Sequence, residues 1–246
     1  MLPADSATER VVPGARAVRR SGARRRRPRP RASSYEVSLK FLRGKLAALF
    51  ALVDREVELA AVAASESASR AAQMCAPARG LRRLALDAER ACQALILLHH
   101  PASDLRFLTT ALKIIPDLQR MGELARRIRG RLVVSEHRHA GGAANLSRLA
   151  SMCRSQVRLA IGAFAAADVA RAQEAIAHRE LVSALHHVVV SDLLALMMED
   201  AGKRGTGRGL LFIAKQLDGL SDQAANSAQL VLSMVRGTRG EGMELL

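Results

Sequence analysis

The sequence predicts an all-α protein, built as two antiparallel three-helix bundles in tandem, on three observations. Residues 101–130, PASDLRFLTTALKIIPDLQRMGELARRIRG, recur in pattern as GRGLLFIAKQLDGLSDQAANSAQLVLSMVRG at residues 207–237. A shift of about 99 residues superposes Leu112 on Leu211, Ile114 on Ile213, Leu118 on Leu217 and Ala125 on Ala224, so the chain reads as two copies of one unit. Apolar residues also return at steps of three and four in six successive stretches, the spacing of a helix with one face in a core. No stretch shows the alternation of a half-buried strand, and Val188-Val189-Val190 lies inside a long helical pattern.

Residues 1–34 stand apart from both units. They carry ten arginines against Asp5 and Glu9, more than half of the net charge of +15. The run Arg24-Arg25-Arg26-Arg27 has no apolar periodicity and its like charges repel, so this tail is expected to be disordered. No apolar segment follows Arg19-Arg20, so the tail does not read as a secretory signal.

The first unit spans residues 35–135. Its first helix runs through Leu39, Leu42, Leu46, Leu49, Val53 and Val57 to about Ala61. A second starts in the Ser65–Ser69 region, where Ser and Glu suit an N-terminus, and reaches about Leu98. His99-His100-Pro101 ends it, because the residue before a proline avoids the helical region. Ser103 or Asp104 caps the third, which reaches about Val134 and is expected to kink at Pro116. Residues 136–145, polar and glycine-bearing, form the linker.

The second unit spans residues 146–237. Asn145 caps a fourth helix through Leu146, Leu149, Met152, Leu159 and Phe164. Asp168 caps a fifth through Leu181, Leu185, Val189, Leu193 and Leu196 to about Asp200. The glycine-rich AGKRGTGRG is expected to be a flexible loop into the sixth, and residues 238–246 a flexible C-terminus.

Composition and motifs narrow the function. Hydrophobic residues make up 49% of 246, enough for a sizeable core, yet no apolar run approaches the ~18–20 residues of a membrane span. Cys75, Cys92 and Cys153 form no CxxC pair and read as small core residues. Gly202-Lys203-Arg204-Gly205-Thr206-Gly207 lacks both the preceding strand and the Gly-Lys-Ser/Thr ending of a phosphate-cradling loop. The histidines show no HExxH spacing, and there is no Gly-x-Ser-x-Gly elbow, so nothing argues for an enzyme. Aromatics are 2% of the chain and sit singly, mostly at apolar helical positions, which leaves no base-stacking platform and no specific nucleic-acid reading.

What remains is a repeated polar pair. Gln119 and Glu123 in the first copy, and Asp218 and Asp222 in the second, stand four residues apart and so share a helix face. Two carboxylates there repel unless a cation lies between them, which makes the pairs candidate cation sites. The strings DLRFLTTALKIIPDLQRMGELA and LLFIAKQLDGLSDQAANSA resemble the paired signature helices of the PhoU family, DLERIGDxA and LLFIARNLERIGDxAxNIA. The resemblance covers roughly Tyr35 to Gly237. In the first copy Asp117 and Leu118 match, Gln119 replaces a Glu and Glu123 an Asp. In the second, Asp218 replaces a Glu, Gly219 an Arg and Ser221 a Gly, while Asp222 matches.

The resemblance implies a cytoplasmic regulator of phosphate uptake and phosphate-starvation signalling. Such a regulator is an adaptor between the ATPase subunit of the phosphate ABC transporter and a sensor histidine kinase, with a homodimer among its assemblies. It also implies a metal ion, iron, zinc, manganese or magnesium, with Asp218, Asp222, Glu123 and Asp117 as candidate ligands. Because the first pair has lost one formal charge, the Asp218/Asp222 face is expected to bind more strongly. An alternative from a different class is a basic helical protein held to nucleic acid or an anionic surface by its arginine tail.

Overall fold

The structure, a computed structural model, describes residues 32–65, 80–98, 102–134 and 143–237. The arginine tail, the predicted start of the second helix, Cys75, His99-His100-Pro101, His137, His139, the linker and the C-terminus lie largely or wholly outside the described residues. Six α-helices account for nearly all that is described: α1 (Ala32–Ser65), α2 (Leu81–Ile96), α3 (Ala102–Val134), α4 (Ala143–Ala166), α5 (Val169–Glu199) and α6 (Arg204–Arg236). No strand occurs among the described residues. The helices α1, α2 and α3 pack on one another, as do α4, α5 and α6, and the two triplets meet through α1 against α4 and α3 against α6.

The apolar periodicity explains this arrangement. The superposed residues Ile114 and Ile213, Leu118 and Leu217, and Ala125 and Ala224 are all buried, so each copy turns the same stripe inward. One continuous core crosses both triplets. Phe164 of α4 closes the junction, its ring centroid 5.6 Å from that of Phe50 on α1 and 5.5 Å from that of Phe107 on α3. Cys92 and Cys153 are fully buried members of this core, and burial pushes both thiols well above their ordinary pKa.

Several local expectations need correction. The second helix does not run unbroken from the Ser65–Ser69 region, because Gly80 sits at φ 129°, where no helix passes, and α2 begins at Leu81. Ser103 and Asp104 fall inside the first turn of α3 instead of capping it. Asp104 instead accepts a hydrogen bond from the Tyr35 hydroxyl at 3.1 Å. Asn145 is likewise inside α4 and donates through Nδ2 to Asp192 Oδ2 of α5 at 2.9 Å. Asp168 does cap α5, accepting from the Arg171 amide at 3.1 Å, and only Ala167 and Asp168 separate α4 from α5.

The largest correction concerns AGKRGTGRG, which is not a flexible loop. Asp200 accepts from the Gly202 amide at 2.8 Å and opens a single 3-10 turn, Ala201–Lys203, after which α6 begins at Arg204. Glycine costs about 1 kcal/mol in a helix interior, and packing offsets it here: a Cβ on Gly207 would lie 2.3 Å from Met197 Cγ of α5. We expect Gly207→Ala to destabilise the protein by about 1–3 kcal/mol through overpacking. Gly205→Ala, which meets open space, should instead stabilise by about 0.5–1 kcal/mol. Urea unfolding of the two variants provides the comparison.

The helix α5 departs from expectation in another way. By length and composition it is apolar enough to cross a membrane, although no sequence run stood out as a span. The reason is that apolar residues also stand on its outer side between Leu181 and Met198, interrupted there by His187, Ser191 and Asp192. Ala172, Ala175, Val182, Val189 and Leu193 turn inward, while Leu181, Val188, Leu194 and Met198 are exposed.

Candidate functional site

Both signature turns lie where α3 and α6 pack against each other. These helices run antiparallel: Asp117 of α3 meets Asn226 of α6, whereas a Cβ on Gly219 would lie 3.7 Å from Leu124. The glycine of the first turn, Gly122, admits α2, since a Cβ there would sit 2.7 Å from a Leu81 methyl.

In the second copy a cation does lie between the carboxylates, and the protein supplies it. Arg179 of α5 places Nη2 3.0 Å from Asp218 Oδ1 and Nε 2.6 Å from Asp222 Oδ1. Lys215, one turn earlier on α6, takes the other Asp218 oxygen at 3.0 Å. Burial pushes the Asp218 carboxyl up, but Lys215, His186 and Arg179 together outweigh it and hold it below the ordinary carboxylate range. Burial holds the neighbouring His186 imidazole below its usual value.

The first copy differs. Gln119 donates through Nε2 to Glu123 Oε1 at 3.4 Å, so the neutral amide occupies the position of a second carboxylate. Asp117 is not part of this turn. It is buried across the α3–α6 contact, accepting from Asn226 Nδ2 at 2.7 Å and Ser227 Oγ at 3.3 Å. Burial raises its pKa against the pull of those two donors. The structure therefore brings Asp218 and Asp222 together, and leaves Asp117 and Glu123 on different faces of α3.

A metal ion does not fit the Asp218/Asp222 face as these side chains stand. Both Asp218 oxygens are held by cationic nitrogens, and the guanidinium fills the position between the carboxylates. Among the described residues no group of three His, Cys, Asp or Glu side chains is placed to hold a metal.

Beneath the turn lies a polar contact that the sequence did not reveal. Gln156 of α4 is fully buried and donates through Nε2 to the carbonyls of Ala175 on α5, at 3.0 Å, and Ser221 on α6, at 3.3 Å. Its Oε1 accepts from the Ser221 hydroxyl. One amide thus joins all three helices of the second triplet directly under Asp218 and Asp222. No spacing rule links positions 156 or 179 to 221 and 222, so only the fold identifies these partners.

Arg179→Ala removes the shared cation. It should lower stability at neutral pH by about 1 kcal/mol or less, since Asp222 is half exposed and screening weakens the pair. The sign of the pH effect follows from the depressed Asp218 carboxyl: its stabilisation is complete above the unfolded-state pKa, about 3.9, and disappears as pH falls through the lower folded-state value. Thermal melts from pH 7 down to pH 2 should therefore show a smaller acid-side loss in Arg179→Ala than in the natural chain.

Comparison with known proteins agrees with this architecture. The family model "PhoU domain" matches residues 146–231. The "phosphate-specific transport system accessory protein PhoU homolog" of Zymomonas mobilis is 32% identical over 182 residues, covering 72% of this chain and 77% of that protein. The homolog from Pseudomonas putida is 26% identical over 83% of this chain and 81% of its own length. The crystal structure of PhoU from Pseudomonas aeruginosa superposes with a TM-score of 0.75 at 24% identity, over 83% of this chain and 100% of that one. The PhoU structure from Streptococcus pneumoniae gives 0.73 at 20% identity, over 84% and 99%. Paired signature helices, two three-helix units and a relative matched at nearly a third identity over three quarters of its length lead to one conclusion: this chain belongs to the PhoU family.

Proposed function

We propose that this protein is a regulatory accessory component of phosphate uptake. In this reading it works in the cytoplasm as an adaptor between the ATPase subunit of a phosphate ABC transporter and a sensor histidine kinase. The observation that carries the reading is the match, along most of the chain, to relatives named as phosphate-specific transport system accessory proteins. The outer face of α5 supports it. Leu181, Val188 and Met198 are exposed there at 56%, 48% and 85%, and they line up at steps of seven and ten residues on one side of the helix. We assign this face to the transporter ATPase.

Co-purification from native cells tests the reading. The natural chain should bring down the ATPase subunit, and Leu181→Glu/Val188→Glu/Met198→Glu should lose it while melting at an unchanged temperature, since all three side chains are exposed. A chain lacking residues 1–31 should keep its partner. If that truncation instead abolishes the interaction and the α5 variant does not, the arginine tail carries the affinity. Tail binding to nucleic acid would also weaken steeply with salt. A concentration-dependent dimer lost in the same α5 variant would assign the face to a second copy.

A metal ion belongs to this reading only in a state where Arg179 has left the carboxylates. Arg179→Ala should accordingly acquire a chelator-sensitive rise in melting temperature with divalent cations that the natural chain lacks, because a ligand that binds only the folded state raises apparent stability. Equal behaviour of the two proteins would remove metal from the account.

A further inference from the structure

A second place in the fold combines features that the carboxylate turns do not. At the far end of the α3–α6 contact, near the C-terminus of α6, a groove of about 200 Å³ opens between the two helices. Arg106, Thr109, Thr110 and Lys113 line its α3 side, at steps of three and four that put them on one face. Leu230, Met234 and Ser233 line its α6 side. We propose that this groove binds a hydrogen-phosphate group, a small tetrahedral oxyanion that still carries a proton.

Charge comes first. No carboxylate lines the groove, and among the described residues no ion pair involves Arg106 or Lys113. Arg106 leans across to α6, its Nη1 4.0 Å from where a Cβ on Gly237 would sit. The C-terminus of α6 contributes roughly half a negative charge through its dipole, which two full cations outweigh. The other cleft rich in arginine, about 310 Å³ between α1 and α4, differs on this point. There Arg154 is held by Glu58 at 2.6 Å, and Arg158 lies 4.0 Å from Asp54, so its positive charge is already balanced.

Size and hydrogen-bonding capacity select the ligand. Pockets for drug-sized molecules measure about 300–1,000 Å³, so this groove suits a smaller one. The Thr109 hydroxyl donates its proton to the carbonyls of Leu105, at 2.9 Å, and Arg106, at 3.1 Å. Ser233 donates to the Gln229 carbonyl at 3.1 Å. With their protons engaged, these two hydroxyls offer the groove only acceptor lone pairs. An oxyanion with an O–H group satisfies both acceptors and cations. Phosphate at neutral pH has that group, and sulfate does not.

The experiment is titration calorimetry of the full chain with inorganic phosphate, and separately with sulfate, at fixed ionic strength. Phosphate should bind saturably and at least about tenfold more tightly than sulfate. Arg106→Ala/Lys113→Ala should weaken phosphate by at least about tenfold, the charge-conserving Arg106→Lys/Lys113→Arg should restore most of it, and Arg158→Ala should change nothing. Thr109→Val should reduce the preference over sulfate while keeping sulfate affinity. The same chemistry occurs in a lipid monoester, so vesicles with phosphatidic acid or with phosphatidylglycerol form the second arm. Binding to phosphatidic acid alone, lost in the double variant, identifies a headgroup as the source. Equal affinity for sulfate and phosphate overturns the proposal. So does binding unchanged in the double variant, or no binding in either arm.

Discussion

Glu56→Ala should lower the unfolding free energy by about 3–5 kcal/mol, the range for breaking one side of a buried ion pair. Glu56 of α1 and Arg129 of α3 are 3% and 4% exposed and form a charged hydrogen bond between those helices. Burial pushes the Glu56 carboxyl above its ordinary range, against the pull of the Arg129 and Arg126 guanidinium groups. Alanine takes away the carboxylate, so the buried guanidinium loses its charged hydrogen bond to α1, which accounts for most of the loss. Replacing both partners together, Glu56→Leu with Arg129→Met, should recover most of it, because an apolar pair of similar volume incurs no charge desolvation. Urea denaturation of the two variants against the natural chain measures the difference. A single variant within about 1 kcal/mol of the natural chain would show that the pair is not buried as described.

Gln156→Ala should cost about 3 kcal/mol, on a different principle. The side chain is fully buried and its amide satisfies the Ser221 hydroxyl and two carbonyls. Truncation leaves the hydroxyl unpaired at about 1–3 kcal/mol and opens a cavity whose walls relax only partly. Gln156→Leu with Ser221→Ala removes both polar partners and should return to within about 1 kcal/mol of the natural chain. The single variant should also loosen the second triplet, since α4, α5 and α6 meet at this amide. Relative to the loss of global stability, hydrogen exchange of α6 around Asp218 and Asp222 should therefore accelerate more in Gln156→Ala than in Glu56→Ala, whose pair lies in the first triplet.

Periodicity alone determined the all-α class, the six helical stretches and most of the inward faces; on α5 it misplaced Leu181, which is 56% exposed because the apolar residues of that helix are not confined to one stripe. Leu42, Leu46, Leu49 and Val53, for instance, recur at three and four and are all buried, because 3.6 residues per turn project such a stripe to one side whatever the chain does elsewhere. The repeat and the family signature were legible for the same reason: they are patterns within one helix. So was the need for a cation between Asp218 and Asp222, since like charges one turn apart repel wherever the helix lies. Which cation it is was a matter of tertiary structure. Arg179 stands on another helix, and only the packing of α5 on α6 brings its guanidinium to both carboxylates. Gln156, the Glu56–Arg129 pair and the groove between Arg106 and Gly237 belong to the same class, each joining residues far apart in sequence. The glycine-rich 201–209 stretch shows the reverse case. Locally its composition favours a loop, but the approach of Gly207 to Met197 and the Asp200 cap stabilise a helix there, because close packing between helices outweighs the small propensity of each residue.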